Sequence, residues 1–298
     1  MLLARSAMLH AGPINVPNGS FEEPATFFVS TIFESWQRTP QWEFWNENAT
    51  GPWTNLTGIF KNTAPGNDDH IVNCDGNQAA WLFANPEVGL FQDYDAMDWN
   101  DPVPTRAFNA VYEVGKSYEL TVGLFGGGAG RNYGMLEGVT LELSLYFRDA
   151  ASNRVTVAAT TITNSNELFP DSTNLVDFTV QVPIVKATDP WAGQHIGILM
   201  LSTVSSNLQG GYWDVDNVRL TSTAAPILTS PVWTNNHFQF TLLGETGRGF
   251  EILSATNVAS PWSNWLVLGT VTNTTGANTF VDTNASFDQR FYRARQMP

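Results

Sequence analysis

This chain is short of charge, of lysine and of cysteine, and each shortage argues against a class of function. Charged residues make up 14% of the 298 residues, against roughly a quarter in an ordinary globular domain. Lysine occurs only at Lys61, Lys116 and Lys186. With 14 basic and 28 acidic residues, the formal net charge is −14. Such a surface repels nucleic-acid phosphates and anionic lipid, so no nucleic-acid partner is expected. No apolar run approaches the ~20 residues of a membrane-spanning helix, so membrane insertion is not expected either. The single cysteine, Cys74, rules out an intramolecular disulfide. Thiol catalysis would need a positioned base, and His70 lies near in sequence, but a lone cysteine in a β-rich chain reads first as a small buried hydrophobe.

Common catalytic signatures are also missing. There is no Gly-x-Ser-x-Gly elbow, and His10, His70, His195 and His237 lack the spacing of a zinc site. The glycine-rich Phe125–Arg131 stretch has no following Lys-Ser pair, so it reads as a loop between strands and not as a phosphate cradle. Paired acids such as Glu22-Glu23, Asp68-Asp69 and Asp93 with Asp95 carry no spacing that marks glycoside hydrolysis.

What the sequence does have is alternation. Hydrophobic residues make up 43% of it, enough for a packed core. They alternate over short runs such as 118–124, 139–147, 176–182 and 196–201, separated by Gly, Asn, Asp and Pro. Many short strands with little helical periodicity predict an all-β chain, a jelly-roll β-sandwich. The segment 36–100 differs. It scatters Trp36, Trp42, Trp45, Trp53, Trp81 and Trp99 among turn residues, and reads as long loops enclosing strands at 79–83 and 89–92. Small residues and a proline near 221–226 suggest a linker. The runs beyond it predict a small antiparallel sandwich over 227–298. Residues 1–13 read as a signal-peptide remnant, although Arg5 interrupts the apolar run. The domain of interest is then 14–222.

The most informative strand is Gly211 to Leu220. Trp213 and Val215 face one way, but the apolar residues after Asp216-Asn217 are Val218 and Leu220, which fall on the opposite phase. Strand side chains alternate, so the break implies a bulge or pinned irregularity. An acid beside irregular backbone offers both carboxylate and carbonyl oxygens to a hard cation.

Several pieces occur in the order found in galactose-binding-like jelly rolls: Val16–Pro24, Asp75–Trp81, Gly89–Gln92, Lys116–Val122 and the strand just described. Over about 14–222 the chain resembles that superfamily, and within it the HpiC1-like group, which includes the calcium-dependent Stig cyclases. The region after 227 resembles the fibronectin-III-like units of secreted bacterial proteins, which implies a secreted or cell-surface setting. The resemblance implies a structural Ca2+ held by Glu22 and Asp216, with Ser20 or a nearby carbonyl completing the shell.

Three functional readings follow. The leading expectation is a secreted, non-catalytic carbohydrate-binding protein. A polysaccharide or glycan would stack on Trp42, Trp45, Trp53 or Trp99 with Tyr212 nearby, and Asn46, Glu47, Asn48, Asp98 and Asn100 would meet its hydroxyls. The alternative is a calcium-dependent cyclase, in which Asp214 acts as general acid at the mouth of an aromatic pocket shaped by Tyr212 or Trp213. The third is an extracellular structural or adhesive protein that self-associates through its sandwiches.

Overall fold

A computed structural model describes residues 12–95, 97–98, 101–104, 106–127, 134–170, 174–235, 237–284 and 289–297. The signal-peptide reading, Trp99 and part of the glycine-rich loop lie outside the described residues. The chain is almost wholly antiparallel β. It divides into two compact units. One holds Pro13–Val114 and Tyr118–Thr221, and the other holds Ser222–Pro298 with Gly115–Ser117.

The larger unit is a two-sheet sandwich of jelly-roll type. One sheet has the order Val176–Val182, Lys116–Phe125, Tyr212–Ala224, Gln78–Phe83, Thr57–Lys61, Val29–Ser30, with Gly12–Ile14 also paired to Tyr212–Ala224. The other has the order Arg154–Thr163, Thr140–Arg148, Gly197–Ser202, Gly89–Gln92, Gln37–Arg38. Alternation explains the core between them. Leu120, Val122 and Leu124 project from one sheet and Leu141, Leu143 and Leu145 from the other, all fully buried.

The phase break in the Tyr212–Ala224 strand is real. Trp213 and Val215 are buried in this core, and so are Val218 and Leu220. Asn217 sits between the two pairs at φ 55°, a left-handed conformation that Asn tolerates better than most residues. One residue in that state resets the alternation. Before it, Tyr212, Asp214 and Asp216 share the face opposite Trp213.

The Trp36–Asn100 segment holds more order than its composition suggests. Besides the expected strands it forms Thr57–Lys61, a one-turn helix Glu47–Thr50 capped by Asn46, and a 3-10 turn Trp53–Leu56. Thr57–Lys61 was missed because Gly58 and Lys61 dilute a five-residue run.

The smaller unit packs two three-stranded sheets around Phe240, Leu242, Phe250 and Ile252. Its strand Ile227–Thr234 was not anticipated, because Pro231 argues against a strand interior. The register with His237–Leu243 slips between Thr229 and Val232, so Pro231 falls in the irregularity of an edge strand.

Candidate active site

In the Gln78–Phe83 strand, Ala80 and Leu82 fill the core, which turns Trp81 and Phe83 to the opposite face. Ile59 does the same for Phe60. Antiparallel register then sets Asp214 beside Trp81 and Tyr212 beside Phe83. Gly58 pairs with Trp81 from the other side. The result is an aromatic floor where a solvated sheet face would carry polar residues. The Phe83 and Tyr212 rings lie 5.7 Å apart, and the Trp81 indole N–H donates to the Asn55 carbonyl at 3.3 Å.

Over this floor lies a cavity of about 700 Å³, lined also by Phe28, Val29, Asn55, Lys61, Thr63, Asp69, Ile71, Phe125 and Asp214. One wall comes from the loop between Thr57–Lys61 and Gln78–Phe83. Asn62 clamps that loop by accepting from the Ile71 amide (3.0 Å) and donating to the Ile71 carbonyl (2.9 Å). His70 Nδ1 lies 2.6 Å from the Thr63 carbonyl. Asp214 is only 7% exposed, so its carboxyl is nearly withdrawn from water while its residue still lines the cavity.

Two residues along the same strand face, Asp216 does different work. It is fully buried. Its Oδ2 accepts from the Asp75 amide at 2.6 Å, while Oδ1 makes no hydrogen bond. Burial pushes its carboxyl up to about 7, against the opposing pull of the Asp75 and Asn217 amides and the Cys74 thiol. Burial and the nearby Asp216 in turn push the Cys74 thiol well above its usual value. Glu22 grips the same loop from the start of the domain, accepting from the Asn77 and Gln78 amides at 2.8 Å each. Gly76 allows that approach. It has φ 95°, and a Cβ there would lie 2.5 Å from Glu22 Oε1. Ser20 ends the turn over residues 17–20 and is half-buried.

The donor set here tests a cation. Among the described residues no three His, Cys, Asp or Glu side chains group to hold a metal, which argues against a zinc-type site. Two carboxylates from opposite ends of the domain meet one loop, and one of them keeps a buried oxygen without a hydrogen bond; hydroxyl and carbonyl oxygens could complete such a set for a hard cation. These oxygen donors are of the type that Ca2+ takes.

None of the described tryptophans expected to bind ligand lines the cavity. Trp53 is buried and donates to the Thr39 carbonyl at 3.0 Å. Trp45 packs edge-on against it and donates to the Gly51 carbonyl at 3.0 Å. Trp42 is half-buried against the core. Of the described members of that expected ligand-binding group, only Tyr212 reaches the cavity. Phe60, Trp81, Phe83 and Asp69 were missed. The signal for the three rings was their outward phase in two strands, where a half-solvated face would be polar; Asp69, in a loop, left none.

A model of the HpiC1-like family, described as HpiC1 cyclase, matches residues 12–221. Among solved structures, a Stig cyclase from Fischerella sp. TAU in complex with (3Z)-3-(1-methyl-2-pyrrolidinylidene)-3H-indole is similar, at 23% identity over 72% of this chain and 98% of that one, with a TM-score of 0.50. An apo-form cyclase from Fischerella sp. is similar at 22% identity over 72% and 97% of the two chains, also with a TM-score of 0.50. No curated protein matches the chain. The family match overturns the expectation of a non-catalytic carbohydrate-binding protein, because the matched family is a cyclase family. The physical reason is in the packing: Trp45 and Trp53, meant as part of a sugar platform, spend their faces and N–H groups on the protein itself.

Proposed function

Because the chain belongs to the HpiC1-like family, we propose that it is a cyclase, closing a ring in a small, largely apolar aromatic substrate held over the Phe60–Trp81–Phe83–Tyr212 floor. The observation that carries this is the position of Asp214, a nearly buried carboxyl lining an aromatic cavity large enough for a small molecule. Asp214 brings a carboxyl group to the cavity wall, where it is placed to serve as the proton donor. It delivers its proton to an electron-rich double bond of the substrate, and a carbon of that bond becomes cationic. A second π-system of the same molecule attacks that carbon and forms the ring bond. The Asp214 carboxylate and the faces of Trp81 and Tyr212 stabilise the cation until it is consumed.

The substrate class is an indole-bearing one. The Fischerella cyclase was solved with an indole-derived ligand, and a flat aromatic ring suits a floor of flat aromatic rings. Ca2+ is the proposed cofactor, held by Glu22 and Asp216 with Ser20. Its chemistry is structural: it offsets two carboxylate charges and ties the first turn of the domain to the strand that carries Asp214.

The test is turnover of 3-alkenylindoles by the full chain in calcium-containing buffer, followed by mass spectrometry and NMR of the product. A ring-closed isomer of unchanged mass supports the reading. No conversion across a panel varied in chain length sinks it.

A further inference from the structure

We propose that Asp69 is the catalytic base of this reaction, accepting the proton that the substrate loses after ring closure. This rests on the cyclase reading above and adds the second half of its proton traffic. Closing a ring within one molecule without a co-reactant is an isomerisation, so one proton enters and one leaves. The entering proton goes from Asp214 to a double bond. When an aromatic carbon supplies the electron pair of the new C–C bond, that carbon still holds its hydrogen. Its C–H bond must then break, the pair returning to the ring and the proton going to an acceptor.

The leaving proton departs from a different atom than the one first protonated, so an acceptor elsewhere on the cavity wall is better placed to take it than the group that gave the first. Among the described residues, three charged ones line the cavity: Lys61, Asp69 and Asp214. A lysine ammonium has no acceptor lone pair. Asp214 lies in the floor strand, nearly buried, while Asp69 is exposed and comes from the facing loop. The two carboxyl groups thus meet the cavity from different walls, and a substrate held between them has one at each side. Asp69 does not dangle freely. Its neighbours are pinned, His70 against the Thr63 carbonyl and Ile71 by both ends of the Asn62 amide. Contact with water then lets Asp69 pass its proton to solvent, and Asp214 regains one from the same source, closing the cycle with atoms and electrons balanced.

The experiment uses full-length protein, a converted 3-alkenylindole, and the Asp69→Ala and Asp69→Asn variants. The indole-derived ligand of the Fischerella cyclase serves as the binding probe, read by tryptophan quenching. Turnover falls about 10²-fold in both variants, the scale of general base catalysis, with probe affinity unchanged. Added formate or acetate restores part of the rate to Asp69→Ala but not to Asp69→Asn, whose amide fills the space. Deuterium at the attacking ring carbon, whose C–H bond breaks, slows Asp69→Ala more than wild type, because proton loss has become the slow step. An Asp69→Ala variant with wild-type turnover overturns the proposal and returns both proton transfers to Asp214. Slow turnover with neither rescue nor an enlarged isotope effect also overturns it, since it marks a structural role. A wild-type chain that converts nothing sinks the cyclase reading, and this role with it.

Discussion

Replacing Gly58 by alanine should unseat Trp81 and close the cavity without touching Asp214. A Cβ at Gly58 would overlap two atoms of the Trp81 indole and the carbonyl of Ser30 on the neighbouring edge strand. The Ser30 carbonyl is backbone and paired through Val29–Ser30, so the ring is the part that must move, and the open volume lies over the floor. Overpacking of this kind costs about 1–3 kcal/mol. For a unit of this size each kcal/mol lowers Tm by about 2–4 °C, so a drop of roughly 2–12 °C is expected. A displaced indole occupies ligand space, and affinity for an indole probe should fall at least about tenfold, equivalent to ~1.4 kcal/mol. Thermal unfolding and tryptophan quenching measure both. Adding Trp81→Phe should remove the ring's share of the overlap and recover part of the Tm loss, the Ser30 carbonyl overlap remaining, without recovering affinity, a non-additivity that a double-mutant cycle isolates. If Gly58→Ala leaves both Tm and affinity at wild-type values, Trp81 does not lie over Gly58 and the aromatic floor is wrongly drawn.

The remaining predictions concern the cation and the tryptophans. Saturating Ca2+ should raise Tm, by the ~2.7 kcal/mol that 100-fold excess over Kd supplies, and Asp216→Asn or a chelator should remove that increment; a calcium-independent melt would refute the assignment. Trp53→Phe should cost about 1–2 kcal/mol in urea unfolding, through its lost bond to Thr39, while probe affinity stays unchanged. Trp81→Ala should abolish probe binding. Reversal of the last two results would put the ligand back on the loop tryptophans.

The strands of the sandwich were legible because alternation is local. Leu120, Val122 and Leu124 announce a buried face within a single run. The irregularity at Asn217 was legible for the same reason: a phase break needs no knowledge of partners. The cavity was only half legible. Asp214 stood out by its place beside the break, but the ring it lies beside, Trp81, is contributed by a strand more than a hundred residues away. Which aromatics share a face depends on that long-range register. Composition misled in the 36–53 stretch, where tryptophan density suggested a binding platform. The decisive facts there are N–H bonds to the Thr39 and Gly51 carbonyls, and tertiary structure alone supplies such partners. Pro231 hid an edge strand by obeying a rule whose exception, the irregular edge, is also tertiary.

The central claim is that Asp214 gives its proton to a substrate held in the aromatic cavity. The most direct measurement is single-turnover conversion of a 3-alkenylindole by Asp214→Asn beside wild type, with probe affinity measured on both. An amide keeps the shape of the side chain and cannot donate as an acid. The account predicts a rate at least about 10²-fold lower with affinity retained. A variant that cyclises the substrate at the wild-type rate would contradict it.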